Sequence, residues 1–124
     1  MNKQIHIMLV EDHAGYRETI AIALEQSDNM QLGSQFGTAE IALRALQNTA
    51  SPKQPDVILL DLNLPGMSGL EALPWIKGYA PNSEVIILTQ SDNAADVTRA
   101  ISEGAAGYLL KSATFKEITE GIET

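Results

Sequence analysis

The sequence predicts an α/β fold in which five strands alternate with five helices around a parallel sheet. Segments with a strand pattern and segments with helical periodicity alternate along the whole chain. Two strand segments, 57–60 and 85–88, are unbroken aliphatic runs, which are typical of strands covered on both faces. With 124 residues, the chain is long enough for one domain and too short for a barrel of eight strand–helix units.

The first two units have a buried strand and an edge strand. Residues 5–10 are almost entirely apolar, whereas residues 30–36 alternate only weakly. A helical pattern over 14–26 follows the first strand, and Thr38 is a suitable N-cap for a helix over 39–48. The residues that we expect to face inward from these helices are Tyr16, Ile20, Ala21, Leu24, Ile41, Ala42, Ala45 and Leu46.

The last three units begin with the strand segments 57–60, 85–88 and 107–110. Two of their helices have a capping box at the start, formed by Ser68 with Glu71 and by Thr114 with Glu117. The helix between them is expected to begin at Asp92 and to end before Gly104. We expect Val97, Ala100 and Ile101 to face inward from this helix, and Phe115, Ile118 and Ile122 mark the last helix.

Right-handed crossovers between these units give a doubly wound (βα)5 sandwich with helices on both faces of the parallel sheet. We expect residues 1–124 to form a single domain. A dinucleotide-binding fold would need Gly-x-Gly-x-x-Gly after strand one, where Glu11-Asp12-His13 stands instead.

Composition excludes several classes of function. The formal net charge is −8 and there is no cysteine, so disulfides and cysteine-ligated zinc are excluded, and nucleic acid or an anionic membrane is disfavoured as a direct partner. No apolar run approaches the roughly 20 residues of a membrane span. The amino terminus lacks the pattern of a signal peptide. We therefore expect a cytoplasmic protein.

Polar side chains stand where the buried strands end. Strand one is followed by Glu11 and Asp12, strand three ends at Asp61, strand four ends at Thr89 and strand five is followed by Lys111. The carboxyl ends of parallel strands share one edge of the sheet, so we expect these groups to meet there. Two carboxylates about 4 Å apart repel by roughly 4 kcal/mol at an effective dielectric constant near 20. Three carboxylates need a cation or must take up protons. Oxygen ligands favour Mg²⁺ as that cation.

This set of groups suits phosphoryl transfer. Asp61 would attack phosphorus, while Mg²⁺ and Lys111 would neutralise charge on the transferring oxygens. Each residue also has a purely structural interpretation: Glu11 and Asp12 could cap the first helix, Asp61 could bind loop amides, and Thr89 and Lys111 could be ordinary loop residues. Their joint placement at one edge favours the chemical interpretation.

The same residues carry a family resemblance. The chain resembles a receiver domain of a bacterial two-component response regulator over its whole length, through Glu11-Asp12, the segment 61–69, Thr89 and the segment 107–111. The segment 104–111 is particularly similar to the subfamily whose full-length members carry a C-terminal LuxR-type helix-turn-helix. The resemblance implies a flavodoxin-like three-layer sandwich with the parallel strand order 2-1-3-4-5.

The resemblance implies roles for the acidic residues. Asp61 would be the phosphoacceptor, loaded by a histidine kinase or a phosphotransfer protein. Asp12 and Asp61 would ligate Mg²⁺ directly, the backbone carbonyl of Asn63 would add a ligand, and Glu11 would act through water.

The resemblance also implies a switch. Lys111 would pair with Asp61 or the phosphoryl group, Thr89 would move to bind a phosphoryl oxygen, and Tyr108 would turn inward. The surface formed by helix four, strand five and helix five would then change its partners, with homodimer formation on activation. DNA would be bound only through an output domain beyond this chain, and no membrane is involved.

Two departures from the family pattern stand beside the site. Ser112 follows Lys111 where many relatives have proline, and a cis bond there would cost about 3 kcal/mol. Gln90 stands after Thr89 where a small residue is usual, so we expect it to slow phosphoryl exchange, including hydrolysis.

Two other functions remain open at this point. A scaffold that never takes a phosphoryl group would have the same fold, although the intact set of polar residues argues against it. An aspartyl phosphatase would need an acid at the position of Asn63, which cannot donate a proton in that way.

Overall fold

A computed structural model describes residues 4–50, 53–90 and 94–123. Within these residues, five strands alternate with five helices as predicted. The elements are β1 (Ile5–Val10), α1 (Ala14–Glu25), β2 (Met30–Phe36), α2 (Ala39–Gln47), β3 (Val57–Asp61), α3 (Gly69–Tyr79), β4 (Glu84–Thr89), α4 (Ala94–Ser102), β5 (Gly107–Leu110) and α5 (Phe115–Glu123). The expected helix cap at Asp92 lies outside the described residues.

The five strands form one parallel sheet in the order β2-β1-β3-β4-β5. This order confirms the predicted flavodoxin-like topology. Its register pairs Val10 with Leu60, Asp61 with Leu88, and Thr89 with Leu110. The last residues of four neighbouring strands therefore lie along one edge of the sheet.

Alternate residues of the central strand enter two separate cores. Ile58 and Leu60 belong to the core beneath α2, α3 and α4, while Val57 and Leu59 belong to the core beneath α1 and α5. All five residues of β3 are buried, which explains why the strand shows no polar alternation. A carboxylate at the end of this strand consequently starts from a buried position.

Side chains at the helix starts confirm the predicted caps. The Thr38 hydroxyl accepts from the backbone N–H of Ile41 at 3.2 Å. Ser68 and Glu71 form both hydrogen bonds of a capping box, at 3.1 Å each. Thr114 and Glu117 form the second box, at 2.9 and 3.2 Å. These caps fix where α2, α3 and α5 begin.

Two apolar residues predicted to face the core are exposed instead. Ile41 is 50% exposed and Ile101 is 44% exposed. Each lies beside the buried stripe of its helix, and other residues in that stripe fill the core in their place. In α1, likewise, Ala23 is buried while Ala21 is only partly covered. The buried stripes of these helices are therefore narrower than the sequence pattern implied. The buried residues that occupy those positions are Ala39, Ala42, Leu43, Leu46, Ala100, Ile118 and Ile122.

Neither a cis peptide bond nor a membrane-length apolar helix occurs in the described ranges. The bond between Lys111 and Ser112 is therefore trans, despite the position at which many relatives have proline.

Candidate functional site

The loop after β1 holds the Glu11 carboxylate inside the protein. The Glu11 side chain is fully buried, and its Oε2 accepts from the backbone N–H of His13 at 3.0 Å. The backbone N–H of Glu11 donates to the Phe36 carbonyl at 2.9 Å. Arg17 Nη1 donates to the Glu11 carbonyl at 2.6 Å. Backbone and side chain are thus both fixed before any ligand arrives.

The next two residues of this loop, Asp12 and His13, have different roles. His13, not Glu11 or Asp12, caps α1, because its Nδ1 accepts from the backbone N–H of Tyr16 at 3.2 Å. The alternative that the two acidic residues merely cap the helix is therefore wrong. Asp12 is exposed, so its carboxylate remains available to a ligand from solvent.

The loop after β3 places the Asp61 carboxylate at the end of a buried strand. Asp61 is only 1% exposed, and its Oδ1 accepts from the backbone N–H of Asn63 at 3.0 Å. The chain then returns so closely that a Cβ on Gly69 would collide with the Asp61 carbonyl oxygen. Gly66 takes a left-handed conformation with φ of 73°, which glycine adopts without strain. Asn63 itself is exposed beside the acidic group.

Lys111 enters the same space from the end of β5. Its backbone N–H donates to the Thr89 carbonyl at 2.8 Å, which ties the ends of β4 and β5 together. Its Nζ lies 2.6 Å from Glu11 Oε1 and 3.2 Å from Asp61 Oδ2. The lysine side chain is 14% exposed. One ammonium group therefore bridges two buried carboxylates.

Glu11, Asp12 and Asp61 form an acidic cluster in which one carboxylate oxygen of each lies within 4.8 Å of the others. Such an all-oxygen set, with one member open to solvent, has the chemistry that Mg²⁺ prefers. Lys111 offsets only part of the negative charge of three carboxylates, so the residues present fit a divalent cation. Cysteine and histidine ligands are absent from this group, which argues against a zinc or copper site.

The environment shifts the proton affinities of the groups around the cluster. Burial raises the pKa of Glu11, and the charge of Asp61 adds to this effect, while Lys111 and the His13 N–H oppose it. Burial lowers the pKa of Lys111, but its hydrogen bond to Glu11 and the charges of both carboxylates outweigh that effect, so this pKa is raised. Lys111 therefore stays positively charged near neutral pH.

The other residues predicted for the site lie around the cluster rather than in it. Thr89 is 6% exposed at the end of β4. Tyr108 lies on β5 opposite Ile87, two positions before that end, and is 44% exposed. Gln90 is exposed immediately after Thr89. The structure thus brings together Glu11, Asp12, Asp61 and Lys111, with Tyr108 outside the cluster.

Sequence reasoning missed one contact of the site. The ring of Tyr16 covers Lys111, with Nζ 5.1 Å from the ring centroid. Burial raises the pKa of Tyr16 to about 12, and the charges of Glu11 and Asp61 contribute. The helical pattern placed Tyr16 on the inner face of α1, but no local signal could have connected it with a lysine 95 positions later in the chain.

Comparison with known proteins agrees with this geometry. The family described as "Response regulator receiver domain" matches residues 7–123. The chain is similar to the nitrate/nitrite response regulator NarP of Escherichia coli, with 36% identity over 116 residues that cover 94% of this chain and 52% of NarP. It is 28% identical to the transcriptional regulatory protein MctR of Rhizobium johnstonii over 121 residues, which cover 98% of this chain and 55% of MctR.

A solved structure gives the same result. The signal receiver domain of NarL from Mycobacterium tuberculosis superimposes with a TM-score of 0.87 and 29% identity, covering 98% of this chain and 94% of that one. The chain spans about half the length of the curated relatives that it matches. The family match covers nearly all of the sequence, so the chain belongs to the response regulator receiver domains, the signalling domains of two-component systems.

Proposed function

We propose that Asp61 is the phosphoacceptor of a two-component signalling switch. One observation carries this proposal: the buried Asp61 carboxylate lies 3.2 Å from the Lys111 ammonium and shares the acidic cluster with Glu11 and Asp12. A nucleophilic carboxylate, a fixed cation and an oxygen-ligand site for a second cation are the parts that phosphoryl transfer requires.

The reaction follows from the positions of these groups. An Asp61 oxygen attacks phosphorus and forms a P–O bond, while the bond from phosphorus to the donor's imidazole nitrogen breaks. That nitrogen keeps the electron pair and takes a proton, and the product on this chain is an acyl phosphate. Lys111 is already within ion-pair distance of Asp61 Oδ2, so its charge can meet the transferred oxygens without a large rearrangement.

The acidic cluster and membership of the receiver-domain family together support a set of magnesium ligands. Asp12, Asp61 and the backbone carbonyl of Asn63 would hold the ion, and Glu11 would act through water. When bound, Mg²⁺ would neutralise charge that develops on the phosphoryl oxygens. Because Glu11 Oε1 pairs with Lys111 at 2.6 Å, a bound cation would compete with the lysine for this carboxylate.

The signal would leave the site through Thr89 and Tyr108. Thr89 lies at the strand end beside Asp61, and Tyr108 is still exposed two positions back on the neighbouring strand. Movement of Thr89 toward a phosphoryl oxygen would open space into which the Tyr108 ring can turn. The surface made by α4, β5 and α5 would then favour a different partner, including a second copy of the chain.

The relatives suggest what lies on either side of this switch. A histidine kinase or phosphotransfer protein would supply the phosphoryl group in the cytoplasm. MctR is named a transcriptional regulatory protein, and this chain spans about half of it. We therefore propose that the switch controls an output domain that binds DNA. With a net charge of −8, the receiver itself is a poor candidate for that contact.

Phosphorylation by a small-molecule donor tests the proposal. The protein is incubated with acetyl phosphate and Mg²⁺, and its intact mass is followed. We expect the wild type and Asp56→Asn to gain the mass of one phosphoryl group, and Asp61→Asn to gain none. Asp56 is the matched control because it precedes the same strand at its opposite end.

Labelling of Asp61→Asn at the wild-type level would assign the phosphoryl group elsewhere. A second measurement addresses the scaffold alternative. Beryllofluoride and Mg²⁺ are titrated while Trp75 fluorescence and the amide NMR spectrum are recorded, and an absence of any response would favour a scaffold.

A further inference from the structure

Lys111 is held by an aromatic face as well as by carboxylates. Its Nζ lies 5.1 Å from the centroid of the Tyr16 ring, besides 2.6 Å from Glu11 and 3.2 Å from Asp61. A cation within about 6 Å of a ring centroid is attracted to the negative face of the ring. The ammonium group therefore has favourable partners on both of these sides.

The position of Tyr16 is set by α1 and by apolar packing. Its backbone N–H bonds to the His13 cap at 3.2 Å, and its side chain packs against the core beneath α1 and α5. Its hydroxyl oxygen is buried and has no hydrogen-bond partner within the described residues. A buried hydroxyl without a partner costs free energy that a leucine at this position would not. Packing alone therefore does not account for a tyrosine here.

The lysine needs such support because its own chain is flexible. Lys111 follows the last residue of β5, and a lysine side chain loses rotamer entropy when it is fixed. Glu11 and Asp61 attract the ammonium but would also be drawn to a bound cation. The Tyr16 ring is neutral, so it can hold the ammonium whether or not a metal occupies the acidic cluster.

We propose that Tyr16 is a positioning residue for phosphoryl transfer, whose ring keeps the Lys111 ammonium between Glu11 and Asp61. This inference rests on the proposed function, in which Lys111 meets the transferred phosphoryl group. It assigns the effect to the aromatic face and not to the hydroxyl. Tyr16 acts through Lys111 and does not itself touch the reacting atoms.

Three substitutions test the assignment. Tyr16→Phe retains the ring and removes the hydroxyl, Tyr16→Leu retains apolar volume and removes the ring, and Trp75→Leu is the control at an aromatic residue that is 56% exposed on α3. Tyr16→Met serves as a second ring-free variant if the leucine variant does not fold. Each protein is examined by NMR of the Lys111 ammonium group and by beryllofluoride titration in the presence of Mg²⁺, followed by the amide NMR spectrum so that the variant without Trp75 can be compared.

We expect the ring to shift the Lys111 ammonium resonance upfield in the wild type and in Tyr16→Phe. In Tyr16→Leu this shift is lost, and beryllofluoride binds about two- to thirty-fold more weakly, the range that cation–π contacts span from exposed to desolvated sites. Trp75→Leu leaves both measurements unchanged.

The proposal is overturned if Tyr16→Leu retains the ammonium shift and the wild-type affinity. It is also overturned if Tyr16→Phe loses as much as Tyr16→Leu, because the hydroxyl would then carry the effect. Failure of the wild type to bind beryllofluoride would count against phosphoryl transfer itself. The ammonium shift would still decide the role of Tyr16, since it is measured without any phosphoryl analogue.

Discussion

Acidic residues lie at both edges of the sheet, but the two edges differ in how deeply their carboxylates are buried. At the carboxyl edge, where β1, β3, β4 and β5 end, Glu11 and Asp61 are almost completely buried and share one lysine. At the amino edge, Asp56, Glu84 and Glu123 line an open cavity of about 730 Å³ and are exposed or half-buried. The amino edge has an open cavity, while the carboxyl edge has the concentrated buried charge.

This difference shows that neither cavity volume nor the number of acids locates the site. Asp56 at the amino edge accepts from the backbone N–H of His6 at 2.9 Å, which is a structural task. Water stabilises the charge of exposed carboxylates, so they need neither a bound cation nor a shared proton. Carboxylates that are buried together with one amine must share protons, bind a cation or react. Substitution of one charged residue at a time can test this difference between the two edges.

Removal of Lys111 should have the largest effect on stability. Lys111→Met leaves Glu11 and Asp61 buried without their cation, and we expect a loss of about 2 to 3 kcal/mol in the free energy of unfolding, at the low end for a broken buried pair because the lysine retains some contact with water. Lys116→Met removes an exposed partner of Glu120 at 3.9 Å and should cost less than about 0.5 kcal/mol. Urea denaturation at neutral pH without Mg²⁺ measures both. Equal losses would contradict the distinction between buried and exposed pairs.

Magnesium should stabilise the fold through the carboxyl edge alone. At ten times its dissociation constant, Mg²⁺ raises the free energy of unfolding by about 1.4 kcal/mol if it binds only the folded chain. Asp12→Asn should remove most of this gain, whereas Asp28→Asn, an exposed residue between α1 and β2, should retain it. Thermal unfolding with Mg²⁺ and with a chelator gives the comparison. A full response from Asp12→Asn would place the ion elsewhere.

The raised pKa of Glu11 predicts a dependence on pH. A carboxyl whose pKa is raised by folding contributes its full stability below the unfolded value of 4.5, and this contribution is lost as the pH rises through the folded value. Glu11→Gln imitates the protonated form, so without Mg²⁺ it should be more stable than the wild type at neutral pH. The difference should close below pH 4.5.

Urea denaturation across a pH series measures this difference in stability, and two controls accompany it. Glu84→Gln, at an exposed residue of the amino edge, should stay within about 0.5 kcal/mol of the wild type at every pH. Added Mg²⁺ should narrow or reverse the gap, because a cation bound in the acidic cluster favours the ionised form of Glu11. A wild type more stable than Glu11→Gln at neutral pH without Mg²⁺ would mean that the ion pair with Lys111 outweighs burial.

The smallest expected effect concerns Gln90, which is exposed beside Thr89 at the rim of the carboxyl edge. A long side chain there narrows the path of water to Asp61, so Gln90→Ala should hydrolyse its acyl phosphate a few-fold faster. Loss of the phosphorylated mass over time measures the rate, with Gln35→Ala on the edge strand β2 as the control. Unchanged rates would mean that Gln90 does not slow the hydrolysis of the acyl phosphate.

The sequence alone determined which residues reach the carboxyl edge. Unbroken apolar strands that alternate with helices can form only a parallel sheet with covered faces, and the residues after such strands then share one edge. Glu11, Asp61, Thr89 and Lys111 followed from strand ends alone. The edge strand β2 and the three helix caps could also be predicted from the sequence, because these features depend on residues that are close together in the chain.

Only the tertiary structure decided how side chains pair across that edge. Hydrophobic periodicity predicts the position of the apolar stripe on a helix to within a residue or two. The rotation of the helix against the sheet then determines which side of that stripe contacts the core. That rotation turned Ile41 and Ile101 outward and brought the Tyr16 ring over Lys111. The Glu11–Lys111 pair likewise joins residues 100 positions apart, and such a contact exists only once the strands between them have been ordered and the cores have closed.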